Sequence, residues 1–554
     1  MKKTLQKLAA AFITGIALMT ACNDAPPIIK DASILPIPIR LTQDTTCFVL
    51  PKSTTIGIND PQLRPAAEYL ASILKPATGY SFKVSEGQGN INLTISTMEG
   101  VEDAYTLVSN PESVNITGNT YRGIIAGIQS LRQLFPAEIE SDKKVSGMGW
   151  GIPSVEIQDA PRFGWRGLML DVSRHFYSKE EVMELLDLMA LYKMNKFHWH
   201  LTDDQGWRLE IKQYPLLTEK GAWRKFNNHD RDCMKYAAEQ DNPDYEIPTD
   251  KIQVVEGDTL YGGFYTQEDV KEVIAYAQVR GIDIIPELDM PGHMLAAVSN
   301  YDGVSCFEET GWGSTFSSPV CPGKDSALEF CKNVYTELIE LFPYEYVHIG
   351  GDEVEKTNWK KCPDCQARMK EHGLKTEEEL QAWFIHEMEH FFNAKGKKMI
   401  GWDEIIEGGL SETATVMWWR SWAKLAPSQT TGQGNDLIFN PNAPFYLDYA
   451  QDKKSVINIY NYEPMKEVPD ADKQHLVKGV QGNIWCEWIP PRERMHYMAA
   501  PRMLAIAELG WSANDRKDWN CFQARMADQF SRLNVMDVQY RIPDLEGFMK
   551  NNVF

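Results

Sequence analysis

The sequence predicts an α/β protein in which a (β/α)8 barrel follows a smaller α+β domain. Two observations lead to this fold class. Beyond the first 160 residues, short apolar runs alternate with helical patterns, and eight such runs are the number that closes a barrel. The runs are residues 167–170, 196–201, 283–287, 346–349, 398–402, 415–419, 436–439 and 479–485. Charged and aromatic residues follow these runs, as expected at the carboxyl-terminal rim where barrel enzymes place catalytic groups.

The chain has 554 residues, which is too long for one ordinary domain but suits a barrel with an added module. We predict a signal segment at 1–22, a linker at 23–40, the α+β domain at 41–158, the barrel at 159–515, and a helical tail packed on the barrel at 516–554. A hydrophobic content of 43% allows substantial cores. The net charge of −21 argues against nucleic-acid binding, because phosphates require a basic surface.

The amino terminus has the pattern of an export signal. Met1 and two lysines precede an apolar run at 8–19, which is too short to span a membrane. The run ends in Met19-Thr-Ala-Cys22, which resembles a bacterial lipoprotein box, where the cysteine receives a lipid. We therefore expect an exported protein of the bacterial cell envelope, in the periplasm or at the outer membrane, with a lipid anchor at Cys22 as its only membrane contact. Plain cleavage is the alternative, because lipoprotein boxes prefer leucine where Met19 stands.

The α+β domain is predicted from strand-like runs at 91–95, 104–108 and 113–117 and from helical patterns at 65–75 and 123–135. In the barrel, capping boxes predict three helix starts: Ser178 with Glu181, Thr266 with Asp269, and Thr376 with Glu379. Residues 205–263 form a long charged insertion after the second strand, which places the insertion on the catalytic rim.

Four of the ten cysteines form two candidate pairs. Cys306 and Cys321 flank a loop rich in glycine and serine and are a plausible disulfide in an exported protein. Cys362 and Cys365 form a Cys-x-x-Cys motif, but no second such motif follows, so a zinc site is not expected. We expect neither a metal nor another cofactor.

The residues after the fourth strand are the strongest candidates for catalysis. Two glycines end the run at 346–349, and Asp352 and Glu353 follow at the rim. Adjacent side chains on an extended chain point in different directions, so one acid can protonate a leaving group while the other holds another part of the substrate. Aromatic, acidic and basic residues at the other strand ends suit a sugar ring, because its C–H face stacks on aromatic rings and its hydroxyl groups bind charged side chains.

Five motifs in this order resemble glycoside hydrolase family 20, the β-N-acetylhexosaminidases. They lie at residues 165–176, 198–207, 287–293, 348–353 and 485–487. The resemblance covers residues 161–515, and a preceding α+β domain is also typical of the family. It implies an exo-acting, retaining glycosidase that removes terminal β-linked GlcNAc or GalNAc from oligosaccharides or glycoconjugates. In this family the substrate's own 2-acetamido group is the nucleophile, and an oxazolinium intermediate forms.

The resemblance also implies catalytic roles for five residues. Glu353 is the expected general acid, and Asp352 is expected to orient and polarise the acetamido group. Tyr446 is expected to donate a hydrogen bond to the acetamido oxygen. Asp203 and His293 are expected to form a relay behind Glu353 that tunes its proton affinity.

Six further residues are expected to bind the sugar. Arg166 is expected to hold the 3- and 4-hydroxyl groups, three tryptophans to enclose the acetamido methyl group, and two acids to bind the outer hydroxyl groups. The tryptophans and acids are Trp402, Trp419, Trp485, Asp448 and Glu487. Trp419 is preferred to its neighbour Trp418 because an arginine follows it, as in the family pattern.

The sequence leaves three alternatives open. A retaining glycosidase can use Asp352 as a protein nucleophile with Glu353 as the acid. The aromatic pocket can also serve a non-catalytic envelope lipoprotein that captures glycans. A metal-dependent barrel hydrolase is the third alternative, although it leaves the other motifs unexplained. Its ligands would be His198, His200, His293 and Asp203.

Overall fold

The computed structural model describes residues 26–27, 29–97 and 100–543. The predicted signal segment, the lipoprotein box with Cys22, and the predicted tail from residue 544 onward lie outside the described residues. None of the helices in these ranges is both long and apolar enough to cross a lipid bilayer.

A seven-stranded mixed sheet precedes the barrel. Its strands and the two helices that contact it are β1 (Arg40–Val49), β2 (Ser53–Ile58), α1 (Arg64–Thr78), β3 (Ser81–Glu86), β4 (Ile91–Ile95), β5 (Tyr105–Ser109), β6 (Val114–Gly118), α2 (Tyr121–Leu134) and β7 (Gly151–Asp159). The order across the sheet is β1-β7-β5-β6-β4-β2-β3. The predicted strands and helices of this region are present. Strands β1, β2, β3 and β7 were not predicted. The edge strand β1 exposes most of its residues, so no alternating pattern marks it in the sequence.

The strands of the second part are β8 (Trp165–Asp171), β9 (Lys196–Asp203), β10 (Gly206–Trp207), β11 (Trp223–Lys225), β12 (Ile252–Val255), β13 (Asp258–Gly262), β14 (Asp283–Leu288), β15 (Tyr346–His348), β16 (Lys398–Trp402), β17 (Thr415–Trp418), β18 (Leu437–Phe439) and β19 (Val477–Ile484). The parallel strands β8, β9 and β14 to β19 each fall on a predicted run. They lie in the order β9-β14-β15-β16-β17-β18-β19-β8, and pairing between β8 and β9 closes the barrel. The predicted fold class is therefore confirmed. Strands β11 to β13 form a small sheet within the predicted insertion.

The helices of this part are α3 (Lys179–Leu191), α4 (Leu216–Glu219), α5 (Asn228–Gln240), α6 (Gln267–Val279), α7 (Leu295–Val298), α8 (Asp325–Leu341), α9 (Thr357–Lys361), α10 (Pro363–His372), α11 (Glu377–Ala394), α12 (Ala426–Gln433), α13 (Asn442–Phe445), α14 (Ser455–Tyr460), α15 (Arg492–Ala499), α16 (Arg502–Trp511) and α17 (Trp519–Val535). The capping boxes predicted for α3 and α6 are complete. At α11, Thr376 caps the helix as predicted, but the Glu379 side chain accepts from the Lys375 N–H instead of closing the box.

A buried carboxylate joins the mixed sheet to the barrel. Asp159, at the end of β7, accepts hydrogen bonds from the Tyr105 hydroxyl at 2.8 Å, the Lys193 ammonium at 3.0 Å and the Trp511 indole at 3.0 Å. The side chains of Asp159 and Lys193 are fully buried. Lys193 precedes β9 and Trp511 ends α16, so one acid holds elements from both halves of the chain.

Replacing Asp159 by Asn should lower the free energy of unfolding by about 3–5 kcal/mol, because it leaves the buried Lys193 ammonium without its counter-charge. Chemical denaturation of the full chain, followed by fluorescence, measures this difference. The matched control is Glu268→Gln, which breaks the exposed pair with Lys271 and should leave the free energy of unfolding nearly unchanged. Equal effects of the two substitutions would contradict the role assigned to Asp159.

Candidate active site

The turn after β15 presents two acids in different environments. Gly350 and Gly351 have φ angles of 75° and 97°, and a Cβ atom on Gly350 would lie 1.8 Å from the Asp289 carboxylate. Glu353 also has a positive φ of 52°, a strain of about 1–3 kcal/mol that typically marks functional sites. The Asp352 side chain is 11% exposed, whereas that of Glu353 is 37% exposed. One acid is therefore enclosed, and the other is partly open to solvent.

His293 connects these acids to a second pair. Its Nε2 atom lies 3.4 Å from Glu353 Oε2 and 3.9 Å from Asp352 Oδ2. Its Nδ1 atom lies 3.2 Å from Asp203 Oδ1 and 3.3 Å from Asp204 Oδ2. Burial alone would lower the pKa of His293, but the nearby carboxylates, Asp203 foremost, raise it well above its usual value. The structure thus brings Asp203 and His293 together behind Glu353, and adds Asp204.

Glu287, on β14, is the centre of the hydrogen-bond network below the acids. It lies 2.9 Å from His198 Nε2 and 3.0 Å from His348 Nδ1, bonds His200 Nδ1, and accepts from the Trp402 indole at 2.8 Å. Burial would raise the pKa of this carboxyl group, but the imidazoles, His200 foremost, hold it well below its usual value. Glu287 in turn raises the pKa of His200 to about 10 against the effect of burial. The network therefore combines a buried anion with a buried cation.

The ligands of the metal-hydrolase alternative do not form a single group among the described residues. His198 clusters with Glu287 and His348, whereas His293 and Asp203 cluster with Asp204. His200 lies between the two clusters and contacts the carboxylates of Glu287 and Asp203. Contacts with carboxylates account for these histidines.

Four aromatic side chains form the wall of the cup. Trp402 ends β16, and Trp419, Tyr446 and Trp485 follow the ends of β17, β18 and β19. Ring centroids are 5.9 Å apart for Trp402 and Trp485, 6.0 Å for Tyr446 and Trp485, and 6.1 Å for the stacked pair Trp419 and Tyr446. Trp418 is buried in the outer core instead. The structure therefore brings the predicted aromatic residues together.

Asp352 and Asp448 are two acids of the cup with raised pKa values. Burial, with the neighbouring charge of Asp289, raises the pKa of Asp352 well above its usual value. Burial and the charge of Glu487 raise the pKa of Asp448 to about 7. The Oδ1 atoms of Asp352 and Asp448 have no hydrogen-bond partner within the described ranges. A polar ligand in the cup can therefore use both groups.

Glu404 is a further acid of the cup that the sequence analysis did not assign. It accepts a hydrogen bond from the Trp419 indole at 2.9 Å. Burial, with the charge of Asp352 next in importance, raises its pKa well above its usual value. Its position two residues after the end of β16, at the rim of the barrel, is the sequence signal that could have identified it.

The prediction that Arg166 binds the substrate is wrong, because this residue lies near the amino-terminal end of β8, away from the cup. Its guanidinium donates to the carbonyl oxygens of Phe163 and Lys193 and to the Asp103 carboxylate at 2.8 Å. It also lies over the Trp511 ring at 4.9 Å. Through these contacts the guanidinium group connects the two halves of the chain.

Arg174 is the arginine that the structure places at the cup. It follows the carboxyl-terminal end of β8 and pairs with Asp171 at 3.2 Å and Asp203 at 2.8 Å. Its guanidinium lies 4.0 Å from Glu487 and over the Trp485 ring at 5.0 Å. The sequence signal was present, because Arg174 lies in the motif at 165–176, past the end of the strand.

Comparison with known proteins agrees with this geometry. The family model described as "Glycosyl hydrolase family 20, catalytic domain" matches residues 163–514. The model described as "Glycosyl hydrolase family 20, domain 2" matches residues 31–160. A β-hexosaminidase of Porphyromonas gingivalis is 40% identical, in an alignment that covers 93% of this chain and 65% of that protein. The chain thus spans somewhat less than two thirds of that relative's length.

Solved structures are similar over almost the whole chain. A family 20 exo-β-N-acetylglucosaminidase from Vibrio harveyi, in complex with N-acetylglucosamine, has a TM-score of 0.80 at 33% identity, with 94% of this chain and 80% of that chain covered. A Streptomyces plicatus N-acetyl-β-hexosaminidase has a TM-score of 0.77 at 30% identity, with coverages of 94% and 99%.

Replacing Glu287 by Gln should lower the free energy of unfolding near pH 6.5 by about 3–5 kcal/mol, because protonated His200 loses its buried counter-ion. The pKa of His200 in the folded state, about 10, lies above the ordinary histidine value of 6.5 that applies in the unfolded chain. The stabilisation is therefore complete below pH 6.5 and is lost as the pH rises towards 10. Urea titrations measure the free energy of unfolding at each pH. The difference in this free energy between wild type and variant should be smaller at pH 9 than at pH 6.5.

The control for this experiment is Glu378→Gln, which changes an exposed acid of α11 and should leave stability nearly unchanged at both pH values. A wild-type-minus-variant difference that stays constant between the two pH values would contradict the charge pairing of Glu287 with His200.

Proposed function

Because this chain belongs to glycoside hydrolase family 20, we propose that it is an exo-acting, retaining β-N-acetylhexosaminidase. Its substrates are oligosaccharides or glycoconjugates that end in β-linked N-acetylhexosamine. The observation that carries the proposal is the pair of acids after β15, one enclosed and one open, within a cup of three tryptophans and a tyrosine. The name of the V. harveyi relative, an exo-β-N-acetylglucosaminidase with bound N-acetylglucosamine, supports the choice of sugar.

Glu353 is the proposed general acid. It is the more exposed acid of the pair, so a glycosidic oxygen can reach it. It protonates the leaving oxygen as the bond from that oxygen to the anomeric carbon breaks. The resulting carboxylate lies beside the His293 imidazole, 3.4 Å away, whose raised pKa keeps it cationic. Glu353 then takes a proton from the water that opens the intermediate, so the acid is regenerated.

The nucleophile is the acetamido oxygen of the substrate itself. This oxygen forms a bond to the anomeric carbon as the leaving group departs, which gives a cyclic oxazolinium ion. The Oδ1 atom of Asp352, which has no hydrogen-bond partner among the described residues, accepts a hydrogen bond from the acetamido N–H and stabilises the positive charge that develops on the acetamido group. Tyr446 donates to the acetamido oxygen and orients it. Attack by water from the opposite side restores the original configuration, and the intramolecular geometry replaces a protein nucleophile.

The remaining cup residues bind the sugar ring. Trp402, Trp419 and Trp485 enclose the acetamido methyl group. Arg174 takes over the role predicted for Arg166 and binds ring hydroxyl groups, because its position over Trp485 and close to Glu487 places it at the rim. Asp448 and Glu487 accept hydrogen bonds from the outer hydroxyl groups.

Substrate scope and one substitution test this function. The full chain should hydrolyse chromogenic β-GlcNAc or β-GalNAc but not the matching β-glucoside, because glucose lacks the acetamido nucleophile. A thiazoline analogue of the cyclic intermediate should inhibit this hydrolysis. Glu353→Gln should lower kcat on a GlcNAc disaccharide by about 10²–10⁴-fold. The effect on an aryl glycoside should be smaller, because that leaving group needs less protonation.

The matched control is Glu345→Gln, an exposed acid before β15 at the opposite end of the strand, which should retain wild-type kcat. Equal hydrolysis of the β-glucoside would favour a protein nucleophile such as Asp352 over the acetamido group. Sugar binding without turnover of any of the three substrates would favour the non-catalytic alternative.

We also propose that the protein is exported and anchored through a lipid on Cys22, on the strength of the apolar run at 8–19 and the box that ends it. Cys22→Ala should move the protein from the membrane fraction of cells to the soluble fraction, as immunoblotting of the fractions would show. Continued sedimentation of the variant with membranes would contradict the anchor, and Cys47→Ala provides the control.

A further inference from the structure

Four cysteines from two loops meet outside the cup. Cys306 and Cys321 lie between β14 and α8, and Cys362 and Cys365 lie at the start of α10, after β15. All four are buried free thiols. The sulfur atoms are 3.7 Å apart for Cys306 and Cys365, 3.7 Å for Cys321 and Cys362, and 3.5 Å for Cys321 and Cys365. All four sulfur atoms lie within 4.8 Å of one another.

This geometry differs from that of paired disulfides. The predicted bridge between Cys306 and Cys321 is not formed, and Cys321 is near three other sulfur atoms rather than one. Four thiolates around Zn²⁺ at about 2.3 Å form a tetrahedron with sulfur atoms about 3.8 Å apart. The observed separations of 3.5–3.7 Å are close to that value. The four sulfur atoms are therefore spaced like the ligands of one tetrahedral ion.

The surroundings favour thiolates. Cys362 and Cys365 lie at the amino-terminal end of α10, where the helix dipole stabilises negative charge. Lys324 places its ammonium group on the carbonyl oxygens of Cys306, at 3.2 Å, and of its neighbour Ser305, at 2.8 Å. A tetrathiolate zinc centre carries a net negative charge, which these groups offset.

Close backbone packing shapes the site. A Cβ atom on Gly323 would lie 2.3 Å from the backbone nitrogen of Cys365, so only glycine lets the two loops approach this closely. The sulfur atoms of Cys321 and Cys365, one from each loop, are 3.5 Å apart. Several thiolates at such distances repel one another unless a cation lies among them.

We propose that Cys306, Cys321, Cys362 and Cys365 bind one Zn²⁺ ion in a closed structural site. Four protein ligands leave no open position for substrate or water, which is the mark of a structural rather than a catalytic zinc site. The Cys-x-x-Cys motif alone did not predict this site, because the other two ligands are separated in sequence and belong to a different loop.

The zinc ion would link the loop after β14 to the loop after β15, and both loops carry catalytic groups. The first loop contains His293 and the second contains Glu353. Further contacts between the loops are a hydrogen bond from the Trp359 indole to the Val320 carbonyl at 3.0 Å and one from the Thr315 N–H to Glu355 at 3.2 Å. The zinc ion would therefore fix the position of His293 relative to Glu353, although it lies outside the cup.

Elemental analysis of the purified full chain tests the proposal. We expect about one zinc per chain in the wild type, and a fall of about tenfold or more in Cys306→Ser and Cys362→Ser, because each removes one of four ligands. Cys521→Ser, an exposed cysteine of α17, is the matched control and should retain the zinc. Zinc that persists in both ligand variants, or iron in place of zinc, would overturn the assignment.

A second measurement needs only the wild-type chain and so covers variants that fail to fold. Denaturation with a chelator and an alkylating reagent, followed by peptide mass mapping, should find all four cysteines alkylated. A mercurial reagent added to the native chain should release the zinc as it titrates these thiols. Disulfide-linked peptides among the four cysteines, together with a zinc-free protein, would overturn the proposal in favour of two bridges.

Discussion

The ion pairing of Glu287 is the interaction on which the rest of the site depends. This buried carboxylate on β14 binds histidines from β9 and β15 and the tryptophan that ends β16, so it joins four neighbouring strands at one level of the barrel. His200 continues the chain of contacts to Asp203, and Asp203 continues it to His293 beside the acids. A buried charge is stable only when it is paired in this way. The position of Glu353 is thus set by a series of charges that begins inside the barrel.

The catalytic turn is held in a strained conformation by this framework. Both His293 and Glu353 have φ angles of 52°, which non-glycine residues adopt only at a cost. Two glycines precede the two acids, and at the first of them, Gly350, the Asp289 carboxylate leaves no room for a side chain. Such strain persists only when surrounding contacts determine the backbone. The rigid strands below the turn provide these contacts.

Residue patterns predicted the architecture well and the individual contacts less well. The eight apolar runs matched the eight barrel strands because fully buried parallel strands consist almost entirely of apolar residues. The exposed edge strand β1 has no such pattern. Arg166 lies at the amino-terminal end of β8, and Arg174 follows the carboxyl-terminal end of the same strand. Only the direction of the strand relative to the rim distinguishes the arginine that joins the two halves of the chain from the arginine at the cup. The four cysteines were missed because their proximity is created by two separate loops.

The protonation of the cup in the free protein has a thermodynamic consequence. Burial keeps protons on acids such as Asp352 and Asp448 at pH values where an exposed carboxyl group is ionised. A ligand that requires these oxygens as acceptors must therefore expel protons into the solvent as it enters. Occupancy of the cup and proton release are then coupled equilibria, so the apparent affinity for a neutral sugar depends on pH although the sugar itself does not ionise.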